Sequence, residues 1–208
     1  MTGWDDIADL PGLGAAIRPI WDRLGSPGAR WSGSERVEMV AGARAARDGE
    51  HPNGSLPPEV GEAVVAVAAR PASIRRSTVE RFVSGPELDH AHYVELVGVV
   101  SRAVAIDTLF ESLGLDRPEL PDHGDSPPTG GIDGRARPGR AWVPMVGGAS
   151  ITQALSLVPA ENAELEALHG PLYLMFEEMG DADIDKALTR PQMELVAART
   201  SAHNACFY

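Results

Sequence analysis

The C-terminal end of the chain holds the residues best suited to thiol chemistry. Cys206 is the only cysteine among 208 residues, so no disulfide can form within the chain. It follows Asn204, a residue type that ends helices, and Glu194 lies on the helix predicted before it. His203, three residues before the thiol, is placed to raise the local positive charge, unless it is merely a surface residue. The thiolate is the nucleophilic form of cysteine, whereas a cysteine without a chemical role is commonly a small buried hydrophobe.

Residues 188–208, LTRPQMELVAARTSAHNACFY, resemble the active-site motif of the alkylhydroperoxidase D and carboxymuconolactone decarboxylase-like family, in its peroxidase-related form. Arg190 and Glu194 match the Arg-x-x-x-Glu start of that motif. Asn204 and Cys206 match its Asn-x-Cys, including the twelve-residue step from Glu194 to Cys206. Segments that begin near Ser32, Tyr93 and Trp142 resemble other helices of the same family.

The resemblance implies an antioxidant enzyme, a thiol-dependent hydroperoxide reductase with peroxiredoxin-type activity. In that family two thiols cycle between dithiol and disulfide, and a glutamate and a histidine form a proton relay. The predicted catalytic residues here are Cys206, Glu194 as its relay carboxylate, and His203. The predicted partners are a hydroperoxide substrate and a thiol reductant, with no cofactor and no metal.

The motif is present only in its first half. The family's second cysteine corresponds to the position after Tyr208, with its histidine four residues further on. We therefore expect impaired turnover, with oxidised Cys206 stopping at sulfenic acid or needing an outside thiol. Three explanations fit the missing second half of the motif: a gene fragment, a nonsense mutation at a cysteine codon, or a selenocysteine codon read as a stop. A non-catalytic helical assembly module and a carboxymuconolactone decarboxylase-type lyase are the alternative functions.

Composition limits the partners and the location. The chain has 18 basic and 30 acidic residues, a net charge of −12, which argues against nucleic acid or an anionic membrane surface as the main partner. The N-terminus lacks the basic and apolar regions of a signal peptide, and the longest apolar runs are too short to span a membrane. We expect a cytoplasmic protein.

The spacing of apolar residues predicts an all-α fold made of tandem alkylhydroperoxidase-like helical repeats. The first repeat is degenerate and the second is incomplete. Two short segments align with each other, which supports two related halves. They are Val37-Glu38-Met39-Val40-Ala41 and Met193-Glu194-Leu195-Val196-Ala197. The predicted divisions are an N-terminal segment (1–30), a first repeat (31–116), a Pro/Gly-rich linker (117–140) and a partial second repeat (141–208).

Individual helices are predicted from caps and from apolar stripes. Their ranges are 14–24, 32–47, 58–69, 73–83, 86–113, 151–157, 160–179 and a last helix that starts at Thr189. The helix over 86–113 is apolar around much of its circumference, which favours a homo-oligomer held partly by this helix. The acid-rich run over 161–166 is interpreted as a solvated helix face.

Overall fold

The computed structural model describes residues 3–8, 10, 12–51, 54–148, 150–204 and 206. Over these residues the chain forms eight α-helices and no β-strand, which confirms the all-α prediction. The helices are α1 (Gly3–Ala8), α2 (Leu13–Asp22), α3 (Gly33–Arg47), α4 (Pro58–Ala69), α5 (Arg76–Val83), α6 (His90–Ser112), α7 (Pro159–Leu172) and α8 (Arg190–His203).

Local signals in the sequence set several helix starts. Ser32 Oγ accepts a hydrogen bond from the Glu35 N–H, and Glu35 accepts one from the Ser32 N–H in return, which is the predicted capping box of α3. Asp89 accepts from the His92 N–H at 2.8 Å and so fixes the start of α6. Helix α4 begins at Pro58, where the missing N–H of proline has no consequence.

Helix α6 is the centre of the molecule. Leu96, Val99, Val100, Ile106 and Phe110 are fully buried in the core. Helices α2, α3, α4, α5 and α7 all contact α6, so elements of the same chain cover its several apolar sides. Val100 is a core residue, so contacts within one chain account for the broad apolar surface of α6. The predicted homo-oligomer stays a prediction.

Some predicted boundaries are wrong. Residues 151–157 form only a short 3-10 turn, Ile151–Gln153, followed by turns. The helix predicted over 160–179 ends at Leu172, next to Pro171, and a separate 3-10 helix covers Phe176–Gly180. Helix α5 starts at Arg76 because a 3-10 turn, Pro71–Ser73, precedes it. Helix α1 was not predicted, since six residues give too few turns for a periodic pattern.

The proline-rich stretch over 117–140 contains no helix, and its backbone is tied to the helical body. Trp21 Nε1 donates to the Glu119 carbonyl at 3.0 Å. The Gly124 N–H donates to the Gly25 carbonyl, and the Thr129 N–H donates to the Gly28 carbonyl at 2.8 Å. Beyond this stretch, Leu168 of α7 lies in the same core as α2 and α6. The division into two repeats stays a prediction.

Candidate active site

Cys206 lies just beyond the end of α8. The helix ends at His203, and the Cys206 N–H donates to the Ser201 carbonyl at 2.9 Å, which folds the chain back against the last turn. The residue is exposed and is a free cysteine. Its thiol is therefore accessible to molecules in solution, and the interpretation of Cys206 as a buried hydrophobe does not apply.

Glu194 is held by two hydrogen-bond donors. Tyr173 Oη donates to Glu194 Oε1 at 2.9 Å, and Arg190 Nε donates to the same oxygen at 2.7 Å. The hydrogen bond from Tyr173, followed by that from Arg190, lowers the pKa of Glu194 below its ordinary value. Burial and the hydrogen bond to Glu194 raise the pKa of Tyr173, so at neutral pH a phenol hydroxyl faces a carboxylate.

Arg190 anchors the start of α8. Its guanidinium donates to the carbonyls of Met179 at 3.1 Å and Asp181 at 2.8 Å, at the end of the preceding 3-10 helix. Its backbone N–H donates to Asp185 Oδ1 at 3.0 Å. The arginine and glutamate of the Arg-x-x-x-Glu pattern therefore form one ion pair, whose arginine also fixes the position of the helix.

The structure does not join the three predicted site residues by direct contacts. Glu194 and His203 are nine residues apart on α8, which is about two and a half turns, or ~13 Å along the axis, so they lie on opposite faces. No hydrogen bond or ion pair connects Cys206, Glu194 and His203 within the described part of the chain. Their joint role as a catalytic set stays a prediction.

An apolar cleft lies between α6 and α7, beside Tyr173. Its volume is about 270 Å³. Tyr173 lines this cleft and also donates the hydrogen bond to Glu194. The other lining residues are Ser101, Arg102, Ala105, Leu165, Leu168, His169 and Leu172. A small apolar group bound there would lie against the residue that holds Glu194.

A buried ionic cluster, formed by Arg36, Glu95, Arg102 and Glu161, joins α3, α6 and α7. Arg36 Nη1 donates to Glu95 Oε1 at 2.7 Å and to Glu161 Oε1 at 2.9 Å. Arg102 donates to the other oxygen of Glu161. The side chains of all four residues are at most 4% exposed. The interpretation of 161–166 as a solvated face is therefore wrong for Glu161, because the arginines of α3 and α6 lie opposite it.

The pKa shifts in this cluster follow from burial and ion pairing. Burial raises the pKa of Glu95, with Arg36 opposing the shift. Burial opposes ionisation of Arg36, yet Glu161 and Glu95 attract the guanidinium enough to raise its pKa. Burial also lowers the pKa of Arg102, whose Nη1 has no hydrogen-bond acceptor and lies 3.5 Å from Glu164 Oε2. Replacing a buried ion pair by apolar residues is often neutral for stability, whereas removing one partner leaves an uncompensated buried charge.

Sequence reasoning missed this cluster, although a signal was present. Glu95 and Arg102 interrupt an otherwise apolar stretch of α6, between Val94 and Leu96 and between Ser101 and Ala103. Charged residues on a buried helix require partners of opposite charge. The pattern indicates that partners exist, but the fold identifies them.

Comparison with known proteins gives no relative. No family model, no curated protein and no solved structure matches the chain. Within the described residues, no group of three or more His, Cys, Asp or Glu side chains could hold a metal ion. Over the same residues, every helix is too short or too polar to cross a bilayer.

Proposed function

We propose that this chain is a thiol-dependent hydroperoxide reductase in which Cys206 is the reactive thiol. The observation that carries the proposal is the position of Tyr173, which lines the apolar cleft and also donates to Glu194. A hydroperoxide with a small alkyl group has an apolar part to place in the cleft. Its polar end needs a nucleophile and a proton acceptor, for which the accessible thiol of Cys206 and the ionised Glu194 are the candidates.

The chemistry proceeds in three balanced steps. The Cys206 thiolate attacks the terminal peroxide oxygen, so an S–O bond forms, the O–O bond breaks, and the alkoxide takes a proton and leaves as an alcohol. An outside thiol then attacks the sulfenic acid, which forms a mixed disulfide and releases water. A second outside thiol releases the Cys206 thiol and leaves as the oxidised disulfide of the reductant.

Glu194 acts before the first of these steps. Deprotonation of the thiol requires an acceptor, and a carboxylate with a lowered pKa is ionised at neutral pH. Glu194 lies about two and a half turns, or ~13 Å, before the end of α8, so a chain of water molecules must carry the proton. Tyr173 and Arg190 are positioning residues in this scheme, because they act through Glu194.

The test is oxidation of the intact chain with one equivalent of cumene hydroperoxide, followed by trapping with dimedone and mass spectrometry. We expect the adduct on Cys206 and, because an outside thiol completes each cycle, a steady-state rate that rises with the dithiothreitol concentration. Cys206→Ser is the control for the adduct, and Glu194→Gln is expected to slow its formation. If the chain forms no more adduct than a short peptide containing the same thiol, the reductase proposal is wrong.

A second candidate function, a non-catalytic helical assembly module, has one specific observation in its favour. Leu195 and Val196 on α8 are 62% and 57% exposed. Exposed neighbouring apolar side chains favour association. The measurement is sedimentation of the wild-type chain and of a Leu195→Glu, Val196→Glu double variant at micromolar concentration. An oligomer that becomes a folded monomer in the variant supports this candidate, and a wild-type monomer contradicts it.

A further inference from the structure

Positive charge is concentrated in two short segments of this acidic chain. Residues 70–78 and residues 134–148 each contain three arginines and no aspartate or glutamate. Together they hold six of the 18 basic residues, so the rest of the chain has 12 basic side chains against 30 acidic ones. Such segregation creates a local positive potential on a protein whose remaining surface repels anions.

The fold brings the two segments together. Arg76, the first residue of α5, donates from Nη2 to the Arg140 carbonyl at 2.8 Å. Arg137 Nη1 donates to the carbonyls of Gly134 at 2.6 Å and Ala136 at 2.9 Å. These acceptors are neutral, and within the described residues no carboxylate pairs with Arg76, Arg137 or Arg140. The three guanidinium charges therefore remain uncompensated.

A cleft lies inside the loop that carries two of these arginines. Arg137 and Met145 exchange backbone hydrogen bonds of 2.9 and 3.1 Å, which close the loop at its base. The cleft has a volume of about 230 Å³, and Arg137 and Arg140 line it together with Gly139, Val143 and Gly148. A Cβ atom built on Gly139 or Gly148 would meet no atom within 4 Å, so the space beside these backbones is open.

The loop also offers backbone donors. The N–H groups of Gly139, Arg140 and Ala141 donate to no protein acceptor in the described part of the chain. Guanidinium groups and clustered N–H groups are the donors that proteins use for phosphate oxygens. The volume is smaller than a typical pocket for a drug-sized molecule, ~300–1,000 Å³. A phosphate or pyrophosphate group is small enough to enter it, and Val143 and Met145 supply an apolar part of the lining.

We propose that the cleft within the 137–145 loop binds the phosphate group of a small anionic molecule through Arg137, Arg140 and the N–H groups of the loop. Arg76 holds the Arg140 backbone in place and adds positive charge. The acidic remainder of the chain disfavours a nucleic-acid polymer as the ligand. This inference is independent of the thiol chemistry proposed above.

The experiment is isothermal titration calorimetry of the intact chain at low ionic strength with inorganic phosphate, pyrophosphate and glycerol 3-phosphate, and with acetate as a carboxylate. We expect saturable millimolar or tighter binding of at least one phosphate compound, and no binding of acetate. Tighter binding of glycerol 3-phosphate than of inorganic phosphate would assign the site to phosphate esters. The reverse order would assign it to free phosphate.

Matched variants locate the site. The double variant Arg137→Ala, Arg140→Ala is expected to weaken binding by about tenfold or more. Arg135→Ala removes an arginine from the same segment, but this side chain is already paired with Asp133 at 2.7 Å, so it should leave the affinity unchanged. Circular dichroism of each variant checks folding. Absence of phosphate binding to the wild-type chain, or equal losses in the double variant and Arg135→Ala, would overturn the proposal.

Discussion

Tyr173 and Glu194 join the end of α7 to α8 by a single hydrogen bond, from Tyr173 Oη to Glu194 Oε1, of 2.9 Å. Arg190 donates to the same oxygen, so one carboxylate oxygen receives a neutral and a charged donor. Since Tyr173 also lines the apolar cleft, a molecule in the cleft contacts the side chain that positions Glu194. A molecule that displaced the Tyr173 side chain would therefore remove the hydrogen bond that lowers the pKa of Glu194.

Replacing Tyr173 by phenylalanine should raise the pKa of Glu194 towards its ordinary value of 4.5, because the hydrogen bond from Tyr173 is the largest cause of its lowering. NMR titration of the Glu194 side-chain carboxyl carbon measures this pKa directly. Tyr93→Phe is the matched control, since Tyr93 lies in the core at the start of α6. An unchanged titration in Tyr173→Phe would show that Arg190 alone sets the charge of Glu194.

Glu161→Gln should destabilise the chain by about 3–5 kcal/mol, because it leaves Arg102 without its main anionic partner and weakens the pairing of buried Arg36. Glu62→Gln on α4 is the control. Its side chain is 52% exposed and pairs with Arg81, which is 53% exposed, so we expect a loss of only about 0–1 kcal/mol. Urea unfolding followed by circular dichroism compares the two variants. Similar losses would mean that solvent screens the buried cluster.

The sequence predicted elements well where a local signal marks them. The Ser32–Glu35 capping box and the proline at Pro58 locate the starts of α3 and α4 within one residue, because those signals act within a single turn. The role of Glu161 could not be predicted, since its partners lie on α3 and α6. The elements that pack on α6 are likewise not visible in its own sequence. Its apolar circumference therefore could not show whether α6 is a central helix or part of a subunit interface.

The predicted site shows the same limit. The sequence correctly places Glu194 on α8 and Cys206 beyond its end. The partner that lowers the pKa of Glu194 is Tyr173, 21 residues earlier, and no spacing rule connects the two. Contacts between elements depend on how the chain turns between α7 and α8. That turn is made of irregular residues and a short 3-10 helix, which have no apolar period to interpret.

The alignment of residues 37–41 with residues 193–197 leads to a prediction about two matched positions. Met39 of α3 aligns with Leu195 of α8, yet Met39 is fully buried and Leu195 is 62% exposed. Met39→Ala should therefore destabilise the isolated chain by about 2–5 kcal/mol, and Leu195→Ala by no more than about 0.5 kcal/mol. Urea unfolding at low protein concentration measures both. A large loss in Leu195→Ala that grows with protein concentration would show that another copy covers α8.

Ionisation of Tyr93 is predicted to lower the folding stability of the chain at alkaline pH. Burial raises its pKa from 10.0 to about 12, so the folded state keeps the phenol neutral where the unfolded chain already ionises it. Its contribution to stability is therefore complete below pH 10 and is lost as the pH rises towards 12, with a maximum loss of about 2–3 kcal/mol. Tyr93→Phe has no ionisable group at this position and should retain its stability. Urea midpoints of both proteins across about pH 9 to 11 measure the difference, because the other tyrosines titrate equally in the two. Parallel declines with pH would mean that Tyr93 ionises in the folded chain as readily as in the unfolded one.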